Sequence, residues 1–220
     1  GAPAVKAASP QTQDATPDST VFAGVEARRA RRIVYVVDAS GPMASSLAFV
    51  KSELARSVGR LAADQSFQVL FFRETAGGSG GAGYSAFSAE GISTELQSAT
   101  PEHKKEFLSW LATIRPGGRS NPRAALEAAV SLRPEVVFVL SRRIKRTNIA
   151  DAAAEVREVM NALERINPPD RLTGVRPVVI KTIQFLDDDP SGLLQQIADV
   201  HGDGAGSYRL LTLEQLPKGR

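Results

Sequence analysis

The chain has 220 residues, of which 42% are apolar and 23% charged, an ordinary composition for a globular protein. That length buries one real core, or at most two. The absence of cysteine excludes a disulfide framework and a thiolate metal site, and leaves the redox compartment and the localisation open. No apolar run approaches the roughly 18–20 residues of a membrane span, so no membrane insertion is expected of this segment, and it holds no signal peptide. A start at Gly1 instead of Met points to a processed or recombinant fragment, with an upstream anchor compatible with the sequence.

The net charge is +3 and the sequence pI about 9.4. The excess is partly local, in Arg28, Arg29, Arg31 and Arg32 and again in Arg142, Arg143, Lys145 and Arg146. Only 6% of residues are aromatic, and none interleaves with these basic runs. A stacking platform for nucleic acid is therefore not expected.

Residues 1–24 are rich in Ala, Pro, Thr, Ser, Gln and Asp and have no structural period. They read as a flexible linker or tail, leaving one domain over residues 25–220. Ile33–Val37 is a β-branched run of the kind that forms a buried parallel strand. It ends on Asp38, followed by Ala39-Ser40-Gly41-Pro42-Met43. From Ala44 to Ala62, apolar Leu47, Val50, Leu54, Val58 and Leu61 fall on one helix face. Ser66–Arg73 reads as a second strand. Gly77–Gly83 reads as a hairpin loop into a short strand near Tyr84–Ser88. It is not a phosphate cradle, because no helix and no Lys-Ser/Thr ending follows.

Thr100-Pro101-Glu102 has the cap, proline and acid of a helix start, with Phe107, Leu111 and Ile114 as the buried stripe and Trp110 at its border. Asn121 caps the next helix, whose inner face holds Leu126, Ala129 and Val130. Val136–Leu140 is a buried strand, followed by a basic loop, Ser141–Arg146. Asn148 starts a long helix with Val156, Val159, Met160 and Leu163 inside, ended by Asn167-Pro168-Pro169-Asp170. Val178–Phe185 is a strand, Asp189-Pro190 caps a last helix stopped at Gly202, and Tyr208–Leu211 closes the pattern. Strands alternate with helices along the chain. The expected fold is α/β: a doubly wound, mostly parallel six-stranded sheet with one short antiparallel edge strand and helices on both faces.

The string Asp38-Ala39-Ser40-Gly41-Pro42-Met43 after an apolar strand resembles the Asp-x-Ser-x-Ser loop of von Willebrand factor type A domains. Further landmarks lie in the family's order. Ser66–Phe72 resembles its second strand, Gly117-Gly118-Arg119-Ser120-Asn121 its Gly-Gly-Thr loop and following cap, and Leu140-Ser141-Arg142-Arg143 its Leu-Thr-Asp-Gly. Ile197–Gly202 with Tyr208 resembles the final helix and strand. The match runs from about Arg31 to Leu216. The resemblance implies a Rossmann-like sheet with a metal-ion-dependent adhesion site, where an Asp, two Ser, a Thr and a second Asp hold one divalent cation through hard oxygens.

This chain keeps part of that set. Asp38 and Ser40 match, and Ser120 retains the hydroxyl of the Thr. Pro42 stands in place of the second Ser and Arg142 in place of the second Asp. At about 4–6 Å and an effective dielectric of about 20, a cation beside an arginine loses several kcal/mol. The resemblance thus implies a degenerate site of Asp38, Ser40 and Ser120, with no tightly bound cofactor and at most weak Mg²⁺. Two arrangements then stay open: the guanidinium of Arg142 pairs with Asp38 in the cation's place, or Arg142 points to solvent and Asp38 caps its own loop.

Other chemistry is not favoured. His103 and His201 have no metal-ligand spacing and read as surface or helix-end residues. Asp187–Asp189 lacks the spacing of a Ca²⁺ loop. No Gly-x-Ser-x-Gly elbow is present. A phosphoryl-transfer Asp would want an acid, not Ser40, two residues on.

The function expected is therefore non-enzymatic: a protein-interaction module that binds an acidic partner surface through the loops at the strands' carboxyl ends. Arg142, Arg143, Lys145, Arg146 and Asn121 would line that surface. The alternatives are a metal-dependent adhesion module with weak residual Mg²⁺ binding, and a Mg²⁺-dependent phosphoryl-transfer enzyme.

Overall fold

An unbroken run such as Ile33–Val37 has no polar side to turn to water, so it must lie in the middle of a sheet with cover on both faces. It does so in a computed structural model, which describes residues 19–74, 83–89, 95–142, 149–204 and 206–215. In chain order the strands are β1 (Ser19–Phe22), β2 (Val25–Arg28), β3 (Arg32–Asp38), β4 (Ser66–Phe72), β5 (Tyr84–Ala86), β6 (Gln97–Ser98), β7 (Val136–Ser141), β8 (Val179–Phe185) and β9 (Tyr208–Leu211). The helices are α1 (Leu47–Gly59), α2 (Pro101–Thr113), α3 (Arg123–Ser131), α4 (Ile149–Ile166) and α5 (Leu193–His201).

The main sheet runs β5-β4-β3-β7-β8-β9, with β6 also on β4. Strands β4, β3, β7, β8 and β9 are parallel. Both β5 and β6 are antiparallel to β4, so the sheet has seven strands instead of six and two short antiparallel pieces instead of one. The extra piece, Gln97–Ser98, is too short to leave a periodic signal.

Alternation on each strand separates two cores. Ile33, Tyr35 and Val37 face α1, α2 and the β1–β2 hairpin; Val34 and Val36 face α3, α4 and α5. On the first face Phe67, Phe87 and Phe107 pack at centroid distances of 5.5–5.7 Å, with Trp110 at their border against Phe71, Phe87 and Phe107. Thr100 caps α2 by accepting the His103 N–H at 3.2 Å. Among the described residues, no helix is long and apolar enough to cross a membrane.

Three boundaries differ from the sequence reading. The tail assigned to residues 1–24 overlaps β1, because Phe22 is fully buried against Tyr35 and Phe138. A four-residue strand inside a polar segment gives no pattern, but one phenylalanine in the core fixes it. The β1–β2 turn uses Ala23 and Gly24, both at positive φ, as a two-residue hairpin requires. Arg209 lies over Gly24 so closely that a Cβ there would fall 2.0 Å from its Nη1.

The first helix begins at Leu47, after a 3₁₀ turn at Gly41–Met43. The last begins after Gly192 instead of being capped directly by Asp189. Asp189 takes the Ser191 N–H and hydroxyl, at 3.1 and 2.8 Å, and Ser191 Oγ in turn accepts the Leu193 N–H at 3.3 Å. The expected cap Asn148 lies outside the described residues, as does most of the Gly77–Gly83 loop.

Candidate binding surface at the carboxyl ends of the strands

Parallel pairing decides what meets at the strand ends. Val37 is level with Phe71 on β4 and with Leu140 on β7. The next residues, Asp38, Phe72 and Ser141, therefore end their strands side by side. The Ala39 N–H then donates to the Phe72 carbonyl at 3.0 Å, and the Gly117 N–H to the Ala39 carbonyl at 2.9 Å. The Gly41 N–H donates to the Gly118 carbonyl at 3.0 Å. A Cβ on Gly41 would sit 3.4 Å from that carbonyl, an ordinary contact, so the two loops close on each other without requiring a glycine there.

Asp38 is completely buried. One carboxylate oxygen, Oδ1, accepts the Ser40 N–H at 2.7 Å. The other, Oδ2, accepts the hydroxyls of Ser120 at 2.9 Å and Ser141 at 2.7 Å. An acceptor-only carboxylate is costly to bury unless its lone pairs are used, and three donors from three segments use them. Ser141 Oγ also lies 2.9 Å from the Arg142 carbonyl; its single proton serves one acceptor at a time. Ser40 Oγ is different. It is buried beside the carboxylate and has no partner among the described residues.

Of the two arrangements left open, Asp38 does bond within its own loop, and Arg142 neither pairs with it nor simply points to solvent. Its Nε donates to Asp187 Oδ2 at 2.6 Å and its Nη1 to the Pro42 carbonyl at 3.0 Å. The carboxylate is already occupied by hydroxyls, and Asp187 offers the guanidinium a half-exposed acid that costs less to reach. Leu186, at a φ of 66°, turns the chain after β8 to bring Asp187 there. Arg142 therefore ties the Asp38 loop to the loop after β8, with its side chain 25% exposed.

The Gly117–Asn121 loop is tied from its other side. Glu74 and Arg119 exchange backbone bonds at 2.8 and 2.9 Å. Asn121 donates to Glu74 Oε1 at 2.5 Å and accepts the Arg123 N–H at 3.2 Å; Pro122 and not Asn121 occupies the N-cap of α3, one residue later than expected. Thus Asp38, Ser40 and Ser120 come together, Asn121 and Arg142 stand at the rim, and Arg143, Lys145 and Arg146 lie outside the described residues.

Sequence reasoning missed Ser141, Glu74 and Asp187. Ser141 could have been found, since it is the last residue of a strand expected beside β3. The other two depend on loop conformation.

As a donor set for a divalent ion, the cluster offers one carboxylate and two or three hydroxyls, with a guanidinium at its edge. Among the described residues, no three His, Asp or Glu side chains gather as a metal-binding group. Of the histidines, His201 ends a helix as expected but is buried, not on the surface.

A doubly wound sheet with a buried Asp-x-Ser at the end of its first central strand, closed by a Gly-Gly-x-Ser loop, is the von Willebrand factor type A fold. Solved structures bear this out. The chain is similar to a von Willebrand factor type A protein from Catenulispora acidiphila, with a TM-score of 0.58 and 11% identity over 85% of this chain and 40% of that one. It is also similar to the pilus adhesin SpaC from Lactobacillus rhamnosus GG in its open conformation, with a TM-score of 0.54 and 12% identity over 81% of this chain and 27% of the adhesin. The chain spans less than half the length of either protein. No protein-family model matches the sequence, and no curated protein does.

Proposed function

We propose that this domain is a non-enzymatic interaction module. It binds a protein partner through the loops Asp38–Met43, Gly117–Asn121 and Ser141–Arg146, without a tightly held metal. The observation that carries this reading is the position of Arg142. Its guanidinium bridges the Pro42 carbonyl and Asp187, which puts a fixed positive charge at the edge of the cluster where adhesion sites of this fold hold a cation. A basic rim selects an acidic partner surface. The likeness to a pilus adhesin supports adhesion or docking as the general role.

Phosphoryl transfer is disfavoured by access. The acid that would serve as nucleophile, Asp38, is sealed from solvent and has both oxygens engaged.

Weak Mg²⁺ binding is a second reading with one observation in its favour, the unpartnered Ser40 hydroxyl beside the carboxylate. Calorimetric titration with Mg²⁺ separates the two. The metal-free reading expects no saturable heat from the native chain and binding by the Pro42→Ser, Arg142→Asp double variant. Equal binding by both would overturn it. The partner is found by photo-crosslinking from position 119, on the rim, against position 105 on the flank of α2. Adducts that form equally from both positions would count against these loops as the interface.

A further inference from the structure

Five large apolar side chains are well exposed among the described residues, and four of them lie together at the pole opposite the Asp38 loops. Ile166 ends α4, Leu172 and Val175 belong to the loop into β8, and Val200 lies in the last turn of α5. Arg176 joins the three segments. It donates from Nε to the Val200 carbonyl at 2.9 Å and from Nη1 to the Asn167 carbonyl at 2.6 Å, and pairs with Glu164 at 2.9 Å.

The loop itself is closed by its own bonds. Asp170 exchanges backbone contacts with Val175 and Gly174 at 2.9 and 2.8 Å. Its carboxylate accepts the Leu172 and Thr173 N–H groups and the Thr173 hydroxyl at 2.8–3.0 Å, which hold it below the usual carboxylate range. The result is a preorganised tip with Leu172 at 96% exposure. With Ile166, Val175 and Val200 it makes an exposed apolar patch, where a single exposed leucine would call for no explanation.

The charge around the tip leans positive. Parallel register puts the starts of β3, β4, β7 and β8 at this same pole. The exposed Arg32, Arg60, Arg133, Arg165 and Arg171 all lie there. None has a carboxylate within bridging distance among the described residues. Of the acids of this pole, Asp64 pairs with Arg31 and Glu164 with Arg176, Glu135 and Asp170 are bonded to N–H groups, and Glu102 and Asp199 are exposed, so positive charge is in excess there but not alone.

We infer that this pole is a membrane-contact surface: the Asp170–Val175 loop seats Leu172 and Val175 among the headgroups of an anionic bilayer, while Arg165, Arg171 and their basic neighbours meet the lipid phosphates. Two features select a bilayer over other occupants: Leu172 stands almost wholly in solvent at the tip of a self-closed loop, and exposed arginines surround it. The rim is cationic, which opposes docking against a second copy of this chain. Apolar insertion with surrounding arginines is the combination that binds acidic interfaces. β1 begins level with Arg28, beside the start of β3, so the chain enters the domain from this same pole. Seated this way, the Asp38 loops point away from the lipid.

The test is co-sedimentation of the whole chain with vesicles of phosphatidylcholine mixed with phosphatidylserine, against pure phosphatidylcholine. Binding is expected to the mixed vesicles and to fall as salt rises. Leu172→Asp should weaken it by about tenfold or more, since one leucine is removed from the interface. Arg165→Glu with Arg171→Glu should do the same, and the equal charge change Arg115→Glu with Arg157→Glu, at exposed positions away from this pole, should have little effect. Because the chain has no cysteine, Leu172→Cys carries a single environment-sensitive dye, whose emission should shift blue on the mixed vesicles. Absence of binding, equal binding to neutral vesicles, or indifference to Leu172→Asp would each overturn the inference. Leu172 is solvent-exposed, so loss of folding does not confuse the result. The outcome is independent of the metal titration and crosslinking at the other pole.

Discussion

The two ends of the sheet each bury a polar centre, and among the described residues each leaves one side-chain atom without a partner. At the carboxyl end the centre is Asp38, a charge kept in place by two hydroxyls and an N–H from three segments. At the opposite end it is Asn167 with His201. Asn167 pairs with the backbone of Val178 in both directions, at 2.8 and 3.1 Å, and its amide lies 3.3 Å from His201 Nδ1. A donated amide proton leaves Nδ1 as acceptor and places the ring's proton on Nε2, which has no partner. Burial, then the nearby Arg176, push His201 down to about 4, with Glu164 opposing. One end satisfies a charge; the other avoids one. The first arrangement suits a place where three loops must be pinned together at the strand ends, the second a seam that only has to hold α4, α5 and β8 together.

The sharpest way to break this comparison is Asp38→Ala. It leaves two buried hydroxyls and an N–H without their acceptor, each worth about 1–3 kcal/mol when unmet. The expected loss of unfolding free energy is about 3–4 kcal/mol, partly offset by rearranged hydroxyls, read from urea midpoints at constant slope. A loss under about 1 kcal/mol would show that the carboxylate is kept for a ligand and not for the fold.

The other end predicts a pH effect. The unfolded histidine takes a proton below its ordinary 6.5, the folded one only near 4. Between those values the unfolded state holds more protons, so stability falls as pH drops from about 6.5 to about 4 and is level above. Discounted for solvent near the helix end, the change amounts to about 2 kcal/mol. His201→Asn should flatten that segment of the curve; an unchanged slope would place the titration elsewhere.

How far these features were legible depends on whether they are local. Ile33–Val37, the α1 stripe and the Thr100 cap are set by neighbours in sequence, and the fold followed from them. Asp38, Ser40 and Ser120 were legible because a strand end and a Gly-Gly loop each have a recognisable string. The partner of Arg142 was not, because it depends on a left-handed Leu186 turning Asp187 towards it. β1 escaped because four residues in a polar segment carry no period, and Phe22 gains its meaning only beside Tyr35 and Phe138. His201 looked like a surface helix end; the seam that buries it is built from Asn167, more than thirty residues earlier. Long-range pairing of polar side chains is what a single sequence hides, and both poles depend on it.

Arg142→Ala makes the smallest change and the finest distinction. Its pair with Asp187 has both partners partly exposed, so stability should fall by less than about 1 kcal/mol, with the Asp38 network intact. Its effect on capture of a partner at the rim should be much larger, because a fixed charge and the tether between two loops are both removed. If the order were reversed, with a large loss of stability and unchanged capture, Arg142 would belong with Asn167 and His201 as a structural seam. The two ends of the sheet would then differ in chemistry but not in purpose.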